Sequence, residues 1–324
     1  MLNRLKRHLT RRPVVGLDLG VHGVKWAIVD VANRQIESLG YLPTGGPGGA
    51  TLWEQLPRGV RKLRTAVSGQ DVAYGYFELP PVERRELATA AQAQAQRTIP
   101  FSPEETHFSF CETPALSQRN GHIGIFYVAA RRSRVEKLTS PLQESGFEVG
   151  RVDLPALALC REYLCNHGPQ PEAVLLINVG HRLTQLVLTR QGYPYFARDF
   201  STAGQDFLYS LAMCLQCSTE AAQQFLTAYD FRSRHFMVEP ALLRWLELVQ
   251  RSLCNAENRL GLRVSRILLS GGSARPGLAE RLAERLNRPV ISDGWQRLQP
   301  PAGEELARLR PELFKVAIGL ALEV

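Results

Sequence analysis

Apolar and polar positions along this 324-residue chain switch between strand-like and helix-like periods, and the switching predicts an α/β protein. Val14-Val15-Gly16-Leu17-Asp18-Leu19-Gly20 is an apolar run ending in glycine, which reads as a strand entering a turn. Gly23 to Asp30 follows as a second strand, and Gly20-Val21-His22-Gly23 closes the pair into a hairpin. Residues 43–50 read as a glycine-rich loop, Leu52 to Leu63 has helical spacing, and Val72 to Leu79 alternates as a strand. Pro80-Pro81 then breaks the chain.

Beyond the break, Glu83 to Thr98 predicts a helix that Ile99-Pro100-Phe101 stops. His107 to Phe110 and Gly124 to Ala130 read as strands, and 134–145 as a helix. Val152-Asp153-Leu154-Pro155 leads into a helix through about Cys165, and the loop 166–171 separates the two halves. Ala173 to Val179 is a strongly apolar strand; Leu183 to Thr189 and Tyr193 to Phe200 alternate as the next two. Residues 205–229 and 239–260 are helical. Ile267 to Ser270 is a strand ending in Gly271-Gly272, Leu278 to Leu286 is a helix, and 304–310 and Pro311 to Leu322 close the chain as helices.

Composition narrows the class. Hydrophobic residues make up 44% and charged residues 22%, ordinary shares for a soluble chain of one large or two medium domains. No stretch of about 20 apolar residues predicts a membrane span, and the basic N-terminus lacks the apolar run of a signal peptide. A cytoplasmic protein is expected. The six cysteines show no disulfide-framework spacing, and Cys214-Leu215-Gln216-Cys217 has no second pair at zinc-ribbon distance, so reduced helix residues are expected. Of the net charge of +8, part sits on Arg4, Lys6, Arg7, Arg11 and Arg12. With Leu2, Leu5 and Leu9 near one helical face, that start suits either anionic lipid headgroups or a solvated tail. The remaining charges are scattered without an aromatic stacking platform, so no nucleic-acid partner is expected.

Three glycine-bearing segments carry candidate chemistry. In Asp18-Leu19-Gly20-Val21-His22-Gly23-Val24-Lys25, the glycines let backbone N–H groups approach phosphate oxygens. Lys25 can neutralise phosphate charge, and Asp18 can hold a metal through water. Asn178-Val179-Gly180-His181-Arg182-Leu183-Thr184 is a second strand-turn-strand that can cradle phosphates from the other side. Leu269-Ser270-Gly271-Gly272-Ser273 leaves a strand, and its double glycine lets the backbone pass close to a base and ribose. Each segment taken alone equals an ordinary turn.

Their order is more specific. Two hairpin loops and a later Gly-Gly loop resemble the phosphate-1, phosphate-2 and adenosine elements of the actin, Hsp70 and sugar-kinase superfold. Within it, GLDLGVHGVKWAIVD, AQAQAQRTIPFSPEETHFSF, LLINVGHRLTQLVLTRQGYPYFARDF, ILLSGGSARPGLAERLAERL and FKVAIGLALEV resemble the PilM family of type IV pilus assembly proteins, over residues 13–324. The resemblance implies an actin-like α/β fold of two lobes with an inserted α+β subdomain. Lobe 1 would span 13–80 with 151–170 and 306–324, the insert 81–150, and lobe 2 171–305 with a helical part over 205–262. It implies ATP and Mg2+ held by Asp18, Gly20, Gly23, Lys25, Asn178, Gly180, Thr184, Gly271, Gly272 and Ser273, with the metal reached through water from Asp18 and Asn178. Asp18 and Asp153 are the catalytic candidates it offers, although core packing or a helix cap equally explains Asp153.

The implied partner is the N-terminal tail of a PilN-like bitopic protein, gripped between lobe 1 and the insert. The implied location is cytoplasmic, peripheral to the inner membrane, with a homo-oligomer as an option. Three departures weaken metal-dependent hydrolysis: Asn178 stands where the family usually has aspartate, Val21-His22 where it has serine or threonine, and Ala203-Gly204 where it has a double glycine. Nucleotide binding with weak or absent hydrolysis is therefore expected. A small-molecule or sugar kinase needs a catalytic-base motif that the middle of the chain does not show. An FtsA-like protein is expected to continue into a membrane-binding helix past the closing helix. A type II secretion or mannose-sensitive-pilus platform component shares the fold and stays open.

Overall fold

The computed structural model describes residues 14–44, 56, 60–117, 121–233, 237–292, 294–300 and 310–322. Their strands form three sheets. The first orders β3 (Gln35–Pro43), β2 (Gly23–Asp30), β1 (Val14–Leu19), β4 (Lys62–Ala66) and β8 (Glu148–Asp153). The second orders β11 (Tyr193–Phe200), β10 (Thr184–Arg190), β9 (Ala173–Val179), β12 (Val264–Ser270) and β13 (Val290–Ser292). In both, a leading hairpin is antiparallel and the next strand joins it parallel: β1 with β2 and β4, β9 with β10 and β12. The chain thus builds one five-stranded motif twice.

The third sheet orders β5 (Val72–Leu79), β7 (Ile123–Arg131) and β6 (Thr106–Pro114), all antiparallel. It takes in β5, which precedes the Pro80-Pro81 break. The prolines, which lack an N–H donor, end that strand and do not separate it from the sheet. Helix α1 (Leu87–Gln96) lies on this sheet, with Leu87, Ala91 and Ala95 packed against Leu79, Ile125 and Tyr127.

Helices α2 (Arg132–Glu144) and α3 (Pro155–His167) bracket β8. Helices α4 (Gly204–Leu215), α5 (Thr219–Ala228), α6 (Glu239–Leu260) and α7 (Leu278–Leu286) supply the second sheet's outer cover, led by Phe207, Leu226, Trp245 and Leu282. Helix α8 (Lys315–Ala321) packs between the two large sheets together with α3. Strand β9 explains its unbroken apolar run: Leu175, Ile177 and Val179 face the outer helices, while Val174 and Leu176 face α3.

Several sequence expectations shift. The helix expected over 52–63 falls mostly outside the described residues, and its end, Lys62 and Leu63, belongs to β4. The loop at 45–50, the helix at 304–309 and the basic start at 1–12 also lie outside them. The helix over 205–229 is two helices. Gln216 breaks it at a left-handed φ of 51°, and the Ser218 side chain then caps α5 by accepting from Ala221 N. Cys217 therefore lies past the end of α4, not on it; the described cysteines are all unpaired, and no metal-binding cluster occurs among the described residues. No helix among the described residues is long and apolar enough to cross a membrane.

Helix α8 approaches its neighbours at backbone distance. A Cβ at Gly319 would collide with the Ala158 carbonyl of α3, and one at Gly16 with the Ala317 carbonyl of α8. Beside this contact, Lys315 Nζ donates to Glu162 Oε1 at 2.7 Å and to the Gly294 carbonyl at 3.0 Å; both charged side chains are 1% exposed. Removing one partner breaks an ion pair that lies in the interior. Glu162→Leu is therefore expected to lower unfolding free energy in urea by about 3–5 kcal/mol, with Glu162→Leu/Lys315→Met recovering most of it. A single-variant loss below about 1 kcal/mol would show that the pair does not hold this seam.

Candidate functional site

The matching hairpins of the two large sheets face each other across a cleft of about 920 Å³. The β1–β2 turn brings Asp18, Gly20, Gly23 and Lys25 to it, the β9–β10 turn brings Asn178 and Gly180, and the loop after β12 brings Gly271, Gly272 and Ser273. The hairpins correspond position by position. Gly20 N donates to Gly23 O at 3.1 Å, and Gly180 N donates to Leu183 O at 2.9 Å. Asp18 faces Lys25 across one ladder, and Asn178 faces Gln185 across the other.

The facing pairs differ in charge. Lys25 Nζ and Asp18 Oδ2 form an ion pair at 3.0 Å. In the second hairpin, Asn178 Nδ2 donates to Gln185 Oε1 at 2.8 Å, an uncharged pair. Thr184 does not reach the cleft. It is fully buried, donates to the Thr202 carbonyl at 2.8 Å and accepts from Trp245 Nε1 at 3.0 Å, which anchors the hairpin to α6.

The loop after β12 depends on glycine at one position. Gly271 has φ +103°, its N–H donates to Glu312 O at 2.9 Å, and a Cβ there would crowd the Val179 backbone. Gly272 is different: a Cβ would meet only Leu313 Cδ2, at 3.4 Å.

Asp153, the second catalytic candidate, lies elsewhere. It lines a separate groove of about 360 Å³ between the third sheet and the first. Its carboxylate takes Arg161 Nη2 at 2.5 Å and Arg151 Nε at 3.3 Å, and accepts from Leu154 N at 2.8 Å. One wall of this groove is His107-Phe108-Ser109-Phe110-Cys111 of β6, the other Arg151-Val152-Asp153-Leu154 at the end of β8. Strand side chains alternate between faces, so runs of consecutive residues mean that strand edges line the groove. Both strands are the last in their sheets among the described residues.

Sequence reasoning treated His22 only as a departure and passed over His181. The structure brings them together across the cleft, ring centroids 3.8 Å apart and nearly perpendicular. The signal was their placement: each follows the glycine of an equivalent turn, in Gly20-Val21-His22 and Gly180-His181. Burial, the facing His22 and the adjacent Arg182 push the His181 pKa down to about 4, against an opposing pull from Asp206.

The rest of the lining is basic. Asp18 is its one carboxylate among the described residues, whereas Lys25, Arg134, Arg182, Arg275 and Arg310 all border it. Arg310 pairs with Glu312 at 2.7 Å; Arg275 has no carboxylate partner among the described residues, and burial with the nearby Arg310 lowers its pKa. Such a lining suits a polyphosphate anion. Among the described residues it supplies no unpaired carboxylate to act as a general base. It also suits Mg2+ poorly, because that ion is held through one or two carboxylates and here the single candidate is already paired with a lysine.

The crowding of the two rings is directly measurable. In an NMR titration of the imidazole signals, His181 should protonate near pH 4 in the wild type. His22→Ala removes the like charge and should raise that pKa, while burial and Arg182 keep it below 6.5. An unmoved His181 titration would mean that the rings do not share a site.

Two copies of one five-stranded motif, facing across a cleft, make the actin-like ATPase fold. Among solved structures, the PilM–PilN type IV pilus biogenesis complex matches with TM-score 0.80 at 25% identity, covering 95% of this chain and 97% of that one. The ethanolamine utilization protein EutJ from Carboxydothermus hydrogenoformans matches at 0.53 and 15% identity, covering 95% and 88%. MreB 5 of Spiroplasma citri bound to AMPPNP matches at 0.50 and 10% identity, covering 95% and 94%. No curated protein matches the chain. A family model described as type IV pilus assembly protein PilM matches residues 50–324. A match of that extent, on an actin-like two-lobed fold, places the chain in the PilM family of type IV pilus assembly proteins.

Proposed function

We propose that the chain is a nucleotide-binding scaffold of a type IV pilus machine that grips the N-terminal tail of a PilN-like bitopic protein, and through it sits on the cytoplasmic side of the inner membrane. The observation that carries this reading is the groove between two sheet edges. An extended segment laid there finds backbone donors and acceptors along β6 and apolar seats at Val67, Val128, Val135 and Leu157. Arg151 and His107 border it, so a polar or acidic residue of the tail is accommodated beside apolar anchors. The match to a PilM–PilN complex supports the choice of partner.

The cleft contributes the second half of the proposal. Its glycine turns, its Gly271-Gly272 loop and its basic lining fit ATP, and the fold is shared with a protein solved with AMPPNP bound. The nucleotide acts by setting the angle between the lobes, since the described residues of the lining offer no unpaired base for rapid hydrolysis. A kinase reading draws less support, because phosphoryl transfer needs a carboxylate poised against a substrate hydroxyl and the described lining shows none unpaired.

Two outcomes test the halves separately. Val135→Glu places a charge in the groove wall and should weaken binding of a synthetic PilN-like tail peptide by about tenfold or more in calorimetry, with ATP binding kept. Unchanged peptide affinity would sink the groove assignment. Gly272→Asp puts a carboxylate at the cleft where a side chain has room. It should reduce ATP affinity by about tenfold or more, at an unchanged thermal midpoint and with peptide binding intact. Equal ATP affinity in that variant would remove the Gly-Gly loop from the site.

A further inference from the structure

Both hairpin positions from which a nucleotide-bound cation would be approached are satisfied within the protein. Asp18 is paired with Lys25 at 3.0 Å, and Asn178 is paired with Gln185 at 2.8 Å. Asn178 brings no charge, and Mg2+ gives up its water only to strong oxygen donors. At the hairpin tips, two imidazoles meet instead, one from each lobe, at a centroid distance of 3.8 Å.

We propose that His22 and His181, flanked by Lys25 and Arg182, hold the nucleotide's phosphate chain directly, so that the cleft takes its nucleotide without a divalent cation. This rests on the nucleotide reading above. Each imidazole carries an N–H that can donate to a phosphate oxygen. The backbone under both rings is pinned: the His22 carbonyl accepts from Tyr41 Oη at 3.0 Å and Thr44 N at 2.9 Å, and the His181 carbonyl accepts from Gln205 N at 2.7 Å. The rings can therefore part around a phosphate chain while the turns stay in place. Parting them relieves the contact in which His22 disfavours a charge on His181, and the phosphates supply acceptors and negative charge to a lining that is mostly basic.

The test is calorimetric titration of the full chain with ATP in EDTA and again in excess magnesium. Comparable affinity in the two buffers supports the proposal. Binding in magnesium that disappears in EDTA overturns it and leaves the nucleotide reading standing; absence of binding in both overturns the two together. In EDTA, His22→Ala and His181→Ala should each weaken ATP by about tenfold or more, the weight of one charge-assisted hydrogen bond. Adenosine, which has no phosphates, should bind both variants as it binds the wild type. Unchanged ATP affinity in both variants, or an equal loss for adenosine, overturns the assignment. His22 sits in an exposed turn, so circular dichroism should show that variant folded as the wild type.

Discussion

The close approach of α8 to α3 and β1 is the constraint on which the rest of the molecule depends. At Gly319 against Ala158, and at Gly16 against Ala317, backbone meets backbone with no room for a Cβ. That approach lets two short helices fill the space between two large sheets, with Ile318 and Phe314 serving the first core and Val316 and Leu320 the central one. It also fixes where the sheets sit, and so how far apart their hairpin tips lie. The buried Lys315–Glu162 pair ties the same two helices, and a buried charge pair tolerates little change in its geometry.

The doubled motif sharpens what the cleft can do. The two hairpins have kept their turn geometry and lost their chemical likeness. One presents a lysine–aspartate pair, the other an asparagine–glutamine pair. Beyond the second pair, Asp199 on β11 accepts from the Gly69 N–H at 3.4 Å. Burial raises the Asp199 pKa, and Tyr74, Gly69 and Gln185 pull against it.

Much of this was legible in the sequence, for reasons that differ by element. Strand β9 was plain because both of its faces are covered, which leaves seven residues almost wholly apolar or buried. The Gly20, Gly180 and Gly271-Gly272 turns were plain because their order is that of a known superfold. Strands β3, β4, β8 and β13 were missed. β4 places one large apolar residue, Leu63, among polar ones, and β8 is an edge strand with exposed Glu148 and Arg151. Such strands are made by their neighbours, not by their own pattern. Asp153 was a catalytic candidate through the family resemblance alone; only the tertiary pairing with Arg161 and Arg151 reveals that it faces another groove. The histidine pair was hinted at only by its place in two equivalent turns, since residues 22 and 181 meet only once both hairpins are in place.

Arg161 gives the arrangement its functional logic. From α3, its Nε donates to the Gly319 carbonyl of α8 at 2.9 Å, at the tightest point of the seam. Its Nη2 bonds Asp153 in the wall of the second groove. One planar guanidinium thus joins the tightest contact of the α3–α8 seam to the strand edge proposed to receive a tail, so the wall of that groove is anchored on the same rigid packing that holds α8.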